Sequence, residues 1–149
     1  MTECAIFTNL CMISDGKGNV LVQDRRKEDW RGVTFPGGHV LPGESFTASV
    51  IREVWEETGL VIEDPVLCGV KQFPTDTGAR YVVLCYRAEH FTGGLHSSEE
   101  GDVFWVRRDE LASYPLAPDL MPLLTMMESD TLSEFYLYRE GAGYGKKIL

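Results

Sequence analysis

Short runs rich in β-forming residues, broken by polar turns, fill most of the chain, and one segment switches to a helical period. Cys4 to Ser14 predicts a strand, Asp15-Gly16-Lys17-Gly18-Asn19 a turn, and Val20 to Asp24 a returning strand. Val33-Thr34-Phe35 predicts a short strand running into Pro36-Gly37-Gly38, where the glycines permit unusual backbone geometry and bring carbonyls close to a ligand. Ser45 is placed to cap a helix that Gly59 ends. Within it Ser49, Arg52, Glu53, Glu56 and Glu57 share an arc of roughly 140°. Thr47, Ala48, Val50, Ile51, Val54 and Trp55 cover the opposite side, which is expected to dock on a core. Val66 to Phe73 and Ala79 to Glu89 predict a hairpin around Thr75-Asp76-Thr77-Gly78. Asp102 to Arg107 predicts a strand, Asp109 to Ser113 a helical turn, and Pro118 to Glu128 a final helix with Pro118 near its first turn. Strands around one or two patterned helices, without regular βαβ alternation, imply an α/β (α+β) sandwich.

Composition narrows this picture. The 149 residues, 44% hydrophobic, suit one globular domain, 1–149. Its aromatic tail, residues 133–149, is expected to pack on that domain rather than close over a ligand or contact a second subunit. No apolar run approaches membrane-spanning length, and Met1-Thr2-Glu3-Cys4 lacks the features of a secretory leader. Cys4, Cys11, Cys68 and Cys85 are scattered through apolar runs without a Cys-x-x-Cys pair, so buried reduced thiols and a cytoplasmic location are expected. A net charge of −9 argues against a nucleic-acid surface. A polyanionic small molecule remains possible through local positive charge, and Arg25, Arg26, Lys27 and Arg31 supply one such concentration.

On their own, Glu53, Glu56 and Glu57 read more readily as a solvated acidic face than as a site. Their surroundings change that. Gly38, Glu44, Arg52, Glu53, Val54, Glu56, Glu57, Gly59 and Leu60 fill every defined position of the Nudix hydrolase signature, which runs Gly, five residues, Glu, seven residues, Arg-Glu, an aliphatic, any residue, Glu-Glu, any residue, Gly and an aliphatic. The chain therefore resembles that family over most of its length. The resemblance implies a mixed sheet between helices and hydrolysis of a nucleoside diphosphate linked to another group, by water attacking phosphorus. Crowded carboxylates need a cation, and oxygen donors suit Mg²⁺, with Mn²⁺ also possible.

Glu56 and Glu57 are the first choice as ligands. Glu53 is a second-metal ligand or the base, and the Gly37 carbonyl is a backbone ligand. Arg52 and Glu44 are expected to pair with each other or with a catalytic glutamate, fixing its rotamer. A further ligand is sought in Ser97 to Asp102, with Glu100 preferred and Glu99 in reserve. The run from Trp30 to Gly38 looks like the branch that sanitises nucleoside triphosphates, including 8-oxo-dGTP diphosphatases. By that likeness Phe35, Phe73 and Asp119 are candidate base contacts and Arg25 and His39 candidate phosphate contacts. His39 stands where relatives often carry lysine. The chain is expected to act as monomer or homodimer. ADP-ribose, a dinucleoside polyphosphate or an RNA 5′ end are alternative substrates. A non-catalytic nucleotide-binding regulator is disfavoured, because no motif glutamate is missing.

Overall fold

A computed structural model describes residues 1–149. Ten strands are present: β1 (Ala5–Ile13), β2 (Asn19–Arg25), β3 (Gly32–Thr34), β4 (Leu60–Glu63), β5 (Val66–Pro74), β6 (Arg80–Ala88), β7 (His90–Gly93), β8 (Gly101–Arg107), β9 (Glu134–Glu140) and β10 (Gly143–Ile148). The helices are α1 (Phe46–Thr58) and α2 (Leu120–Met127), with 3₁₀ turns at Glu28–Trp30 and Arg108–Ser113. The main sheet runs β1-β6-β5-β9-β10 and is mixed: β1 lies parallel to β6 and β5 parallel to β9, while the other pairs are antiparallel. A second sheet, β3-β2-β8, and a short β4-β7 ribbon complete it.

Alternation along the strands feeds two cores. Met12, Val20 and Val22 join α2, Phe35 and Phe135 in one cluster, while Cys11, Ile13 and Leu21 join Val50 and Val54 of α1 in the other. The sheets therefore sit between α1 and α2, a three-layer α/β/α arrangement. No helix is long and apolar enough to cross a membrane.

Both ends of α1 form as expected. Ser45 Oγ accepts from the Ala48 amide at 2.9 Å, and Gly59 closes the helix in the left-handed region at φ 77°. Its orientation differs from the expected one. Trp55 is 56% exposed, and Thr47 and Ala48 are also exposed. Ser49, Val50, Val54, Glu57 and Thr58 are the buried residues. The helix is rolled toward its acidic arc, because the partner for that arc is the polar end of a cleft rather than bulk water.

Two further expectations are corrected. Pro118 precedes α2, which starts at Leu120, and Asp119 at the N-cap position makes no capping bond because its backbone is left-handed at φ 68°. Cys4 is exposed and Cys68 half-buried, leaving Cys11 and Cys85 as the buried thiols; all four are free. The aromatic tail forms strands, and β9 hydrogen-bonds to the edge of β5. Phe135 and Leu137 alternate inward.

Candidate active site

The Pro36–Val40 loop is bonded to β1 like an extra strand. Cys11 N–H donates to the Pro36 carbonyl (2.9 Å), Asn9 N–H to the Gly38 carbonyl (2.8 Å) and Val40 N–H to the Phe7 carbonyl (3.0 Å). The buried Asn9 side chain joins loop to helix: its Oδ1 accepts from Gly38 N–H at 3.1 Å and its Nδ2 donates to Ser49 Oγ at 3.0 Å. Gly37 and Gly38 are not in the left-handed region. Space is what demands them. A Cβ on Gly37 would stand 2.1 Å from the Asn9 carbonyl, and one on Gly38 would stand 2.3 Å from the Glu53 carboxyl group. Proximity to β1 and Glu53, not unusual φ, explains the double glycine. The Gly37 carbonyl, between two bonded neighbours, accepts no hydrogen bond.

On α1, Arg52 gathers the acids. Its guanidinium donates to Glu44 (2.8 and 2.9 Å), Glu53 (2.9 Å), Glu56 (3.2 Å) and the His39 carbonyl (3.0 Å). These bonds hold the Glu44 carboxyl down to about 2 and raise the Arg52 pKa further. Glu57 is different: it is 5% exposed and has no cationic partner within salt-bridge reach. Gln23 Nε2 donates to it at 2.9 Å, because Leu21, Gln23 and Arg25 share the α1-facing side of β2. Burial pushes the Glu57 carboxyl up to about 7; Glu53 adds to the rise, while Gln23, Gly37 and Arg25 oppose it.

These groups open on a cleft of about 770 Å³. Gly37, Glu53, Glu56 and Glu57 line it, as do Arg25, His39, Phe35 and Phe73; Glu99 and Glu100 stand on its rim. Arg52 and Glu44 lie behind the acids rather than in the cleft wall. Of the four early cations, Arg25 and Lys27 line the cleft, while Arg26 turns to Asp102 (2.6 Å) and Arg31 lies outside it. Lys27 pairs with Glu100 at 3.2 Å beside the end of the β2–β8 ladder, where Arg26 N–H also donates to the Glu100 carbonyl (3.3 Å). Phe35 is fully buried beneath the floor. Phe73 stacks on Tyr81 with centroids 4.9 Å apart and planes 16° from parallel. Asp119 does not line the cleft, although Pro118 and Leu120 on either side do; its carboxylate is taken by Lys146 of β10.

Sequence reading missed Asn9, Gln23, Tyr81 and Lys71. Lys71 stands two residues before Phe73 in one strand, and that spacing puts both on one face of β5.

No three acidic groups stand close enough together to form a ready-made metal cage, since Arg52 draws Glu53 and Glu56 to itself. The donors nevertheless suit a hard divalent ion. They are all oxygens, the Gly37 carbonyl is unpartnered, the buried Gln23 Oε1 lacks a donor, and Glu57 is buried without a counter-charge.

Comparisons with known proteins bear on the family and the fold. The family model described as the NUDIX domain matches residues 8–126. An uncharacterized Nudix hydrolase, YvcI, of Bacillus subtilis is 35% identical over 123 residues, covering 79% of this chain and 75% of its own. A CTP pyrophosphohydrolase of Escherichia coli is 35% identical over 112 residues, covering 74% and 81%. Among solved structures, a mutator MutT protein from Bacillus halodurans superposes with a TM-score of 0.79 at 25% identity, covering 96% of this chain and 97% of that one.

Proposed function

The chain belongs to the Nudix family of phosphoanhydride hydrolases, and we propose that it cleaves a nucleoside triphosphate, with water, to the monophosphate and pyrophosphate using Mg²⁺. The observation that carries this reading is the convergence of Glu53, Glu56, Glu57 and the free Gly37 carbonyl at one end of a cleft whose other end is walled by Phe73 and Tyr81. One end suits a bridged phosphate chain and the other a flat base. Similarity to a CTP pyrophosphohydrolase supports a triphosphate. An oxidised base such as that of 8-oxo-dGTP is included in this reading.

Glu56, Glu57 and the Gly37 carbonyl would hold the ion, with Glu53 as a further ligand or as the base that takes a proton from the attacking water. Glu100, which lines the cleft and is paired with Lys27, is the candidate to complete the set. When bound, a divalent ion neutralises charge on the phosphate oxygens and lowers the pKa of a coordinated water. Arg52 and Glu44 fix the rotamers of the acids. Arg25 and His39, which line the cleft, would face the phosphates; the Arg25 Nε is buried without a partner. Water oxygen bonds to phosphorus as the bridging P–O bond breaks, and the departing pyrophosphate takes the electron pair. Positioning and charge neutralisation supply most of the acceleration in such transfers.

The test is a nucleotide panel with Mg²⁺, reading pyrophosphate and orthophosphate separately. Pyrophosphate is expected, and Glu57→Gln should lower turnover by at least about a hundredfold while leaving the protein folded. Comparable turnover in the folded variant would refute the role of Glu57.

A further inference from the structure

Lys71 is the one charged side chain set into the floor of the main sheet. It is 5% exposed. In register it lies between Val83 of β6 and Phe135 of β9, and the same row reaches Thr8 on β1. Its ammonium is boxed by three rings, 5.0 Å from the Trp30 centroid, 5.7 Å from Phe73 and 5.8 Å from Phe135. It forms no ion pair and no hydrogen bond. Asp119, the carboxylate that acts on it, is already paired with Lys146. Burial lowers the Lys71 pKa, and Asp119 acts in the other direction.

Aromatic faces attract a cation but leave its three N–H donors without an acceptor. The ammonium keeps some access to the cleft, but a ligand that covers it without offering an acceptor leaves a charged donor unmatched. The lysine lines the cleft, so an incoming ligand can reach it. Position decides which part of the ligand. Lys71 is two strands, roughly 10 Å, across the sheet from Thr8, away from the glycine loop and α1. It stands beside the flat Phe73–Tyr81 stack and among Leu120 and Leu123. Such apolar surroundings suit a stacked base; a multiply charged phosphate would be desolvated there with one cation to meet it.

We propose that Lys71 is a specificity-determining residue that donates a hydrogen bond to a carbonyl oxygen on the substrate's base, so that the cleft selects carbonyl-bearing bases over adenine. This rests on the nucleotide reading above and deepens it. A base offering only an amine at that point would cover the ammonium and displace its solvent without giving it an acceptor, which is how polar pockets reject analogues.

The experiment compares GTP, CTP and UTP with ATP, in wild type, Lys71→Met and Lys71→Gln, measuring kcat and KM by pyrophosphate release. Calorimetric binding of the corresponding α,β-methylene analogues is measured in parallel, and thermal melts check folding. Wild type should favour at least one carbonyl-bearing base over ATP by roughly tenfold to a hundredfold in kcat/KM. Lys71→Met should abolish that preference mainly through KM, and Lys71→Gln, which keeps a donor, should retain part of it. The inference is overturned by a wild type indifferent to the base, by absence of analogue binding, or by a folded Lys71→Met that loses activity equally on every base. If Lys71→Met does not fold, the same comparison in Lys71→Gln decides: a reduced preference upholds the inference and an unchanged one overturns it. Base-selective analogue binding without hydrolysis would uphold the role of Lys71 and sink the proposed reaction. Hydrolysis of all bases alike would do the reverse.

Discussion

Glu57 concentrates the electrostatic cost of the site in one residue. Its folded-state pKa of about 7 lies above the ordinary 4.5, so the folded chain keeps a proton that the unfolded chain releases between those values. The contribution is fully present below about pH 4.5 and is lost as pH rises toward 7. At about 1.4 kcal/mol per pH unit the loss is about 3 kcal/mol. In chelator-treated protein, urea midpoints should therefore fall from pH 5 to 7.5 more steeply for wild type than for Glu57→Gln, which cannot ionise. Parallel profiles would show that the carboxylate is better solvated than its burial indicates. Arg52 works in the opposite sense, with one guanidinium satisfying Glu44, Glu53 and Glu56 on the neighbouring surface. The helix thus carries two kinds of acid: those already matched by arginine and one that is not.

At the level of the elements, α1 is held by its ends and aimed by the loop before it. Gly59 has φ 77°, and a Cβ there would come within 2.4 Å of the Gly94 carbonyl and 2.5 Å of the His96 ring. Gly43 has nearly the same φ, 78°, but open space around it. Gly59→Ala should cost more than Gly43→Ala, the latter carrying only backbone strain of about 1 kcal/mol. Denaturant midpoints of the two variants measure the difference, and equal losses would remove any role for the packing against Gly94. These caps were legible because they are local: Ser45, Gly59 and the period between them lie within fifteen or so residues. The roll of the helix was not. A 3.6-residue period marks two faces without saying which neighbour each meets, and Trp55 was assigned to the core on hydrophobicity alone although a polar cleft waited on the other side. β4 and β7, four residues each and paired with one another, are too short to show a period. The acids and the Gly37 carbonyl were named because their spacing matched a motif. Gln23, Asn9 and Lys71 belong to no such spacing and become visible only once the strands bring them to the cleft.

The molecule as a whole carries a net charge of −9, and its cleft sets Arg25, Lys27 and Lys71 among a larger number of acids, so an anionic ligand needs those acids neutralised by a divalent ion before the three cations can favour it. The last strands matter to that place. β9 completes the floor beside β5, and Phe135, fully buried, packs with α2 and supports the Lys71 ammonium from below. In the sequence the tail looked ambiguous because Phe135, Tyr136, Leu137 and Tyr138 give no polar alternation, and its partner strand lies about sixty residues earlier. If β9 is integral to the core, Phe135→Ala should destabilise the protein by about 3–5 kcal/mol, the range for truncating a buried phenylalanine. The urea midpoint should drop with an unchanged m-value, since the surface exposed on unfolding is nearly the same. A loss below about 1 kcal/mol would instead mean that the β9–β10 hairpin is a detachable flap, and the cleft floor would then have to be stable without it.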